Sequence, residues 1–273
     1  MIVLYILLGV LFLLITVYTV LVAPMPRKEM EKYHGARFAH RGLHDDTKAE
    51  NSMSAFVAAT EAGYGIELDV RLSSDGELVV FHDDTLDRVV GRPGRVDEFT
   101  ADELSQMKLS GTEDGVPRFS DVLSAVGGRV PLLVEIKEDA GNSAVSEKAA
   151  EMLAAYDGEY IVESFNPLSL GTVKKKLPGA CRGILSMNYQ RENSEKYGKF
   201  LYYALRFMLT NRICSPAFVA YKHTDHDSIS LKAAKLMGAT TFAWTVRSPE
   251  EEAAAKKHGF DGVIFEGYIP EDQ

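Results

Sequence analysis

Residues 65–84 combine a strand-like pattern of apolar residues with side chains that can do chemistry. The segment reads GIELDVRLSSDGELVVFHDD and places Glu67, Asp69 and His82 where an ordinary buried strand carries apolar groups. A buried carboxylate costs free energy unless a cation or a metal compensates it. Because residues two apart on a strand point to the same face, we expect Glu67 and Asp69 to share one face.

The Asp-Gly pair at positions 75–76 predicts that the two halves of this segment form an antiparallel hairpin. A turn centred on this pair would set Asp69 directly opposite His82. The apolar residues that alternate with the acids should pack under helices, so we expect the carboxylates to face the inside of the fold. Asp83 and Asp84 are then expected to be loop and orienting residues rather than metal ligands.

Further polar side chains lie at the carboxyl ends of other apolar runs. His40 and Arg41 end the run at 37–40, and Glu135 and Lys137 share one face of PLLVEIK at 131–137. In parallel α/β folds the ligand site lies at the carboxyl ends of the strands. The recurrence of polar groups at these ends predicts an active site there.

The types of these residues indicate phosphoryl transfer. Carboxylates are hard oxygen ligands that suit Ca²⁺ or Mg²⁺, which predicts a divalent metal ion as the cofactor. Two histidines can act as base and acid, and an arginine and a lysine can hold a phosphate. The set comprises Glu67, Asp69, Glu135, His40, His82, Arg41 and Lys137.

These side chains must be positioned by strands that alternate with helices, which is the pattern of a parallel sheet. Nine runs predict strands, one more than an eight-stranded barrel needs, and the hairpin accounts for the surplus. The predicted fold is therefore α/β, a TIM-type (β/α)8 barrel with a β-hairpin excursion after the second strand. The predicted strands are 37–40, 65–70, 77–82, 131–137, 160–165, 181–187, 217–221, 240–246 and 261–265. The predicted helices are 52–63, 100–108, 120–128, 143–156, 227–238 and 248–259.

The amino-terminal segment differs from the rest, because residues 2–23 contain no charged side chain and can span a bilayer as one helix. The competing interpretation is a cleaved signal peptide, which would place small residues before the cut where this chain has Leu21. A retained transmembrane helix is favoured. Arg27, Lys28 and Lys32 follow it, so the positive-inside rule predicts a single-pass protein of the cell membrane with a cytoplasmic catalytic domain.

Composition limits the partners of the 273-residue chain. With 25% charged and 46% hydrophobic residues it has the profile of a folded protein, and its net charge of −9 argues against nucleic acid as a partner. Cys181 and Cys214 lack CxxC spacing and fit reduced thiols better than a disulfide. We expect a transmembrane anchor at 1–24, a juxtamembrane linker at 25–35 and one barrel domain at 36–273.

Several motifs, taken together and in order, resemble the glycerophosphodiester phosphodiesterase family. They are AHRGLHDDTKAENSMSAF, GIELDVRLSSDGELVVFHDD, VPRFSDVL, LLVEIK, ESF and FAWTV. The resemblance implies a TIM-type barrel that hydrolyses glycerophosphodiesters to glycerol phosphate and an alcohol. Lysophospholipids are further expected substrates, so the partner is a small-molecule or lipid-derived phosphodiester.

The resemblance also implies roles for residues of this chain. His40 and His82 are implied as general base and general acid, and the three carboxylates named above as metal ligands. Arg41 and Lys137 are implied as phosphate contacts, with Trp244 lining the glycerol or leaving-group side. Asn51 is expected to brace the first loop at the substrate site. Whether water or the glycerol 2-hydroxyl attacks first stays open.

Two stretches depart from the family pattern. The family usually ends its last strand with Thr-Asp, whereas this chain has Phe265-Glu266, which we expect at the rim of the site, where it affects substrate preference. The second is KFLYYALRFMLTNR at 199–212, which fits either a barrel helix or an interfacial helix that lies on the bilayer.

Two other functions compete with the leading interpretation. A phospholipase C- or D-like relative on the same barrel would cleave an intact membrane lipid. A catalytically inactive barrel would serve as a membrane scaffold, although every expected catalytic position is filled.

Overall fold

A computed structural model describes residues 1–139, 141–189 and 199–271, with the backbone alone for residues 199–200. Nine strands form one sheet, and all nine coincide with the runs predicted from sequence. They are β1 (Arg37–Ala39), β2 (Gly65–Leu72), β3 (Leu78–Val80), β4 (Leu132–Ile136), β5 (Tyr160–Ser164), β6 (Arg182–Ser186), β7 (Phe218–Lys222), β8 (Thr240–Val246) and β9 (Gly262–Phe265).

The sheet closes into a barrel because β1 pairs in parallel with both β9 and β2. The other parallel strands follow in chain order, and β3 alone lies outside the closed ring, paired antiparallel to β2. The helices are α1 (Ile2–Val22), α2 (Met53–Glu61), α3 (Asp87–Val90), α4 (Ala101–Ser105), α5 (Phe119–Val126), α6 (Ala144–Ala154), α7 (Pro167–Lys176), α8 (Lys199–Arg206), α9 (Asn211–Cys214), α10 (Ile229–Leu236) and α11 (Pro249–Lys257). The predicted TIM-type barrel is confirmed.

The hairpin is present, but its predicted register is wrong by one residue. Val70 pairs with Val80, so the partner of Asp69 is Phe81, whose N–H donates to the Asp69 carbonyl at 2.9 Å. The turn contains three residues rather than two, with Gly76 at φ 79°, and the side chain of Ser73 accepts from the Glu77 N–H. His82 therefore lies just beyond β3, in the loop.

Aromatic residues fill the lower lumen of the barrel because neighbouring strands carry glycine. A Cβ at Gly183 would overlap the ring of Phe218, so only glycine leaves room for that ring. Large and small residues thus alternate around one layer, as barrel interiors require. The three matched pairs are Gly65 with Phe38, Gly183 with Phe218, and Gly262 with Phe242. This apolar layer fills the barrel below its polar carboxyl end.

The amino-terminal segment meets the barrel through its last helical turn. One helix, α1, is long and apolar enough to cross a membrane. Its side chains are exposed through residue 17, whereas Val22 is fully buried. The stretch predicted as a linker contains a 3₁₀ turn at Lys28–Tyr33, and Met30 and Tyr33 are buried against the lumen layer.

Candidate active site

Three carboxylates converge at the carboxyl end of the barrel. Glu67 and Asp69 lie two apart on β2, and Glu135 lies on β4 directly beside Asp69 in the parallel register. All three are buried, and one carboxylate oxygen from each lies within 4.8 Å of the others. The apolar residues that alternate with the acids on β2, Leu68 and Val70, pack outward under the helices, so the predicted lumen-facing position of the acids is confirmed.

Two cationic side chains compensate part of this negative charge. Lys137 Nζ lies 2.7 Å from Glu135 Oε1 and 3.2 Å from Asp69 Oδ1. The Arg41 backbone N–H donates to Glu67 at 2.9 Å, and its side chain reaches Glu50 at 2.8 Å. Arg41 adopts φ 56°, in the left-handed region that non-glycine residues rarely occupy, so the surrounding contacts hold this loop in place.

Glu266 holds His40. The Glu266 carboxylate lies 2.5 Å from Nδ1 of His40, and the other ring nitrogen, Nε2, lies 4.0 Å from Glu67. A proton on Nδ1 satisfies the carboxylate and leaves the Nε2 lone pair directed at the carboxylate cluster. Burial lowers the pKa of His40 overall, with Arg41 acting in the same direction, whereas the hydrogen bond to Glu266 raises it.

His82 is held in the same manner from the other side of the site. Its Nδ1 lies 2.6 Å from Asp83, which itself accepts from Arg88 at 2.6 Å, so Asp83 has the predicted orienting position. Arg71 donates twice to the His82 carbonyl, at 2.9 and 2.7 Å. Burial lowers the pKa of His82 to about 4, and Lys137 adds to this effect. The lowered pKa values favour the neutral form of both imidazoles.

Burial and mutual repulsion raise the pKa values of two acids of the cluster. Burial raises the pKa of Glu135 to about 7, and burial and then Asp69 raise that of Glu67 well above its ordinary value. Burial alone would also raise the pKa of Asp69, but Lys137 leads the cations that lower it. The raised pKa values therefore mean that the ionised forms of Glu67 and Glu135 are disfavoured unless a further positive charge stabilises them.

The donor set fits a divalent cation. Carboxylate oxygens are the ligands that Ca²⁺ and Mg²⁺ prefer, and the three oxygens are close enough to share one ion. Oδ1 of Asp69 is buried and, within the described residues, makes no hydrogen bond of good geometry. The Lys137 ammonium lies 3.2 Å away, so part of its acceptor capacity stays open to such an ion. A bound cation would also relieve the repulsion between Glu67 and Asp69.

Of two further predicted residues, Asn51 contacts the cluster and Trp244 contacts Phe165. Asn51 is buried with its amide donating to Asp69 at 2.8 Å, and its backbone N–H donates to the Arg41 carbonyl at 2.8 Å. Asn51 therefore braces both the first loop and a carboxylate. Trp244 packs edge-on against Phe165 at 5.6 Å. Its buried Nε1 has no hydrogen-bond partner in the part of the chain that the structure describes.

Sequence reasoning missed one carboxylate of the site and the contact of another. Glu163 on β5 lies beside Glu135 in the register and is 1% exposed. Glu266 is partly exposed, as expected at the rim, and also contacts His40. The contact of Glu266 follows from closure of the barrel. Because β1 pairs with β9, Ala39 lies beside Phe265, and the next residues, His40 and Glu266, are neighbours. For Glu163 the signal was its position two residues after Ile161, because residues two apart on a strand share one face, here the lumen face of β5.

A cavity of about 390 Å³ opens beside the cluster and is lined by His82, Glu135, Lys137, Phe165 and Tyr189, among others. An anionic phosphate that enters it would meet a lysine, a histidine and the carboxylates together. This is the arrangement of a phosphoric ester hydrolase.

Comparisons with known proteins narrow that class. The sequence model of the glycerophosphoryl diester phosphodiesterase family matches residues 40–267. A glycerophosphodiester phosphodiesterase of Caldanaerobacter subterraneus subsp. tengcongensis is 34% identical over 245 residues, which cover 83% of this chain and 91% of the relative. This chain therefore belongs to the glycerophosphoryl diester phosphodiesterase family, and it is an enzyme, a phosphoric diester hydrolase.

Solved structures agree with the fold. An Oleispira antarctica phosphodiesterase in complex with the product sn-glycerol-3-phosphate superposes with a TM-score of 0.72 at 21% identity, covering 86% of this chain and 94% of that one. A glycerophosphodiester phosphodiesterase from Thermotoga maritima gives a TM-score of 0.66 at 26% identity, covering 85% and 94%.

Proposed function

We propose that this chain is a membrane-anchored, divalent-metal-dependent hydrolase of glycerophosphodiesters, including lysophospholipids. It converts them to glycerol 3-phosphate or a lysophosphatidic product and an alcohol. The observation that carries the proposal is the matched pair of histidines. His40 and His82 each have Nδ1 against a carboxylate at 2.5–2.6 Å, on either side of one carboxylate–cation cluster.

Binding begins with the charges of the site. Arg41 and Lys137 hold the phosphate, and Asn51 keeps Asp69 in position behind them. Trp244 provides an apolar wall for the glycerol or leaving-group side, packed against Phe165. Glu67, Asp69 and Glu135 hold the metal ion. When bound, Ca²⁺ or Mg²⁺ supplies Lewis-acid stabilisation of the charge on the phosphate oxygens.

Proton transfer is assigned to the two imidazoles. His40, neutral and protonated on Nδ1, accepts through Nε2 the proton of the attacking hydroxyl, from either water or the glycerol 2-hydroxyl. Glu266 stabilises the imidazolium that forms. The negative phosphodiester favours protonation of His82, which then donates its proton to the departing alkoxide oxygen. Attack by water breaks one P–O bond, forms another and yields one phosphomonoester and one alcohol. Attack by the 2-hydroxyl releases the same alcohol and leaves a cyclic phosphodiester, which water then opens to the phosphomonoester.

The substrate class rests on the relatives and on the site. The relative from C. subterraneus is called a glycerophosphodiester phosphodiesterase, and the Oleispira enzyme holds glycerol 3-phosphate as product. The polar cluster accounts for the glycerophosphate moiety common to soluble diesters and lysophospholipids. Phe165, Trp244 and Tyr189 offer apolar contacts to whatever group the other ester oxygen carries.

The anchor is α1, and we assign residues 1–24 to it, residues 25–35 to the linker and residues 36–273 to the barrel. Buried contacts favour retention over cleavage as a signal peptide: the Val22 carbonyl accepts from the Asn211 amide at 2.9 Å, and Val22 is fully buried. Removal of this turn would open the outer layer of the barrel. We place the enzyme in the cell membrane with its barrel in the cytoplasm, on the basic residues after α1.

A substrate panel tests the proposal. Full-length protein in detergent, supplied with Mg²⁺ or Ca²⁺, is given glycerophosphocholine, lysophosphatidylcholine or diacyl phosphatidylcholine. We expect hydrolysis of the first two. Cleavage of the diacyl lipid alone would instead show the phospholipase-like alternative.

Two controls complete the panel. Unchanged activity in both His40→Ala and Glu67→Ala would show that the activity is not that of this site, as an inactive scaffold requires. The intact mass of protein purified from membranes should include residues 1–23, and a mature chain that begins near residue 24 would refute the anchor.

A further inference from the structure

The direction of α1 is fixed by contacts at two levels of the barrel. Tyr18 packs against the outer apolar layer that contains Tyr221, and the Tyr221 hydroxyl donates to Ser228 at the start of α10. Both Tyr221 and Ser228 lie at the carboxyl end of the barrel. Seven residues later, the Met25 N–H donates to the carbonyl of Pro216, which precedes β7 at the amino end. The chain thus descends along β7 from the catalytic end to the opposite end.

Followed backward, α1 rises past the carboxyl ends of the strands. Residues 2–17 are exposed along the whole of this part. At about 1.5 Å per residue they extend about 24 Å, close to the hydrocarbon thickness of roughly 30 Å. Because Tyr18 already contacts the barrel, no spacer separates the apolar segment from the catalytic end. Because the exposed segment is no longer than the hydrocarbon core, its insertion brings the catalytic end of the barrel close to the lipid surface.

A second apolar feature lies at the same end. Helix α8 buries Ala204 and Leu205 against the barrel and leaves Leu201 and Tyr203 exposed by 43% and 47%. Its carboxyl end lies level with the start of α10, because the Arg206 carbonyl accepts from Ser230 at 2.9 Å. Both alternatives for residues 199–212 therefore have support, since one face packs on the core and the other carries large apolar side chains.

Helix α8 also borders the active-site cavity. Tyr189 lines the cavity, and its ring meets that of Tyr202 edge-on at 6.0 Å. Tyr202 in turn contacts Tyr203, whose ring stacks on Phe207 at 6.4 Å. An aromatic series thus leads from the exposed face of α8 to the cavity wall.

The opposite end of the barrel has different contacts. The Arg27 side chain donates to the carbonyls of Pro178 and Gly179 at 2.7 Å, just before β6 begins. Lys32 pairs with Glu159 at 2.8 Å, just before β5. The basic residues that follow α1 therefore bind the amino end of the barrel, on the side away from the exposed part of the helix.

We infer that α1 holds the barrel with its catalytic end against the bilayer, so that Leu201 and Tyr203 of α8 lie in the lipid interface. The occupant of this face is the membrane in which α1 is inserted. The substrate that enters from this face is a single-chain phosphodiester lipid, which moves from the bilayer along the aromatic series to the cavity. This inference rests on the proposed anchor and specifies the source of the substrate.

Fluorescence quenching in vesicles tests the orientation without measuring activity. Leu201→Cys and Leu236→Cys are each labelled with an environment-sensitive fluorophore in the full chain, which is reconstituted in phosphatidylcholine vesicles with or without nitroxide-labelled lipid. Leu236 is the matched control, because it is 89% exposed at the other end of α10. Cys181 and Cys214 are buried, so unsubstituted protein labelled in parallel gives the background. Tyr203→Cys provides a second site on α8.

We expect the label at positions 201 and 203 to show blue-shifted emission and quenching by the nitroxide lipid, with position 236 unchanged. Quenching at position 236 alone would show that the amino end of the barrel faces the lipid. Quenching at none of the three positions would show that the barrel does not contact the lipid. Either result overturns the orientation while the anchor stands. Failure of the protein to float with the vesicles would refute the anchor itself, and with it the orientation.

Discussion

The Glu266 carboxylate approaches Nδ1 of His40 to 2.5 Å, a contact made across the seam where the last strand of the barrel meets the first. The contact fixes the imidazole ring and its tautomer. Aspartate keeps the charge but is one methylene group shorter, so it is a conservative test of the role.

Glu266→Gln should lower kcat roughly 10- to 100-fold, as for other residues that orient a reacting group, while KM for glycerophosphocholine stays close to its original value. A neutral amide keeps the shape but does not stabilise an imidazolium. Glu266→Asp should recover most of the activity. Glu159→Gln, an exposed acid at the other end of the barrel, is the matched control. A change in KM alone would show that Glu266 contributes to substrate binding instead.

His40→Ala and His82→Ala should each lower kcat by about 10²- to 10⁴-fold, the usual contribution of a general acid or base. Steady-state hydrolysis of glycerophosphocholine measures the effect, and circular dichroism checks the fold. His34→Ala removes a half-exposed imidazole at the amino end of the barrel and should have no effect. If either active-site variant retained full activity, the two-histidine scheme would be wrong.

Chelation of divalent cations should abolish activity, and Mg²⁺ or Ca²⁺ should restore it. Metal binding should also raise the midpoint of thermal unfolding, because an ion relieves repulsion among Glu67, Asp69 and Glu135. Asp69→Asn should weaken metal binding in isothermal calorimetry, independently of catalysis. Glu159→Gln should bind metal as the unsubstituted protein does. An enzyme that is fully active in excess chelator would not use this site for a metal.

Gly183→Ala should destabilise the barrel by about 1–3 kcal/mol, the usual cost of overpacking a core. Its new methyl group would overlap the ring of Phe218 in the lumen layer. Gly179→Ala is the control, since nothing lies within 4 Å of a Cβ there and its φ is not in the left-handed region. Urea unfolding of detergent-solubilised protein measures both. Equal stability of the two variants would mean that the lumen layer can rearrange.

The strands were predictable because their apolar runs are short, regular and bounded by turn residues. Alternation along β2 also predicted the face of Glu67 and Asp69 correctly. The hairpin register was not predictable from the Asp-Gly pair alone, because Ser73 and Glu77 extend the turn through a side-chain hydrogen bond. One added loop residue shifts every partner along the strand.

The remaining site residues depend on contacts between distant parts of the chain. Glu266 and His40 are 226 residues apart and meet only when the barrel closes. Helix α7 was also missed, because it contains Gly171 and ends in three lysines, so its apolar pattern is weak. Packing on β5 and β6 stabilises it where propensity does not.

The burial of Val22 affects where the chain can be shortened. A soluble form that begins at residue 25 would lose Val22 and Tyr18, leaving the Asn211 amide without its acceptor and the outer layer open. A form that begins at residue 18 keeps those contacts and removes only the exposed apolar turns. The last helical turn of α1, from Tyr18 to Val22, thus belongs to both the anchor and the barrel. A truncation placed where the apolar run ends would therefore remove contacts of the barrel.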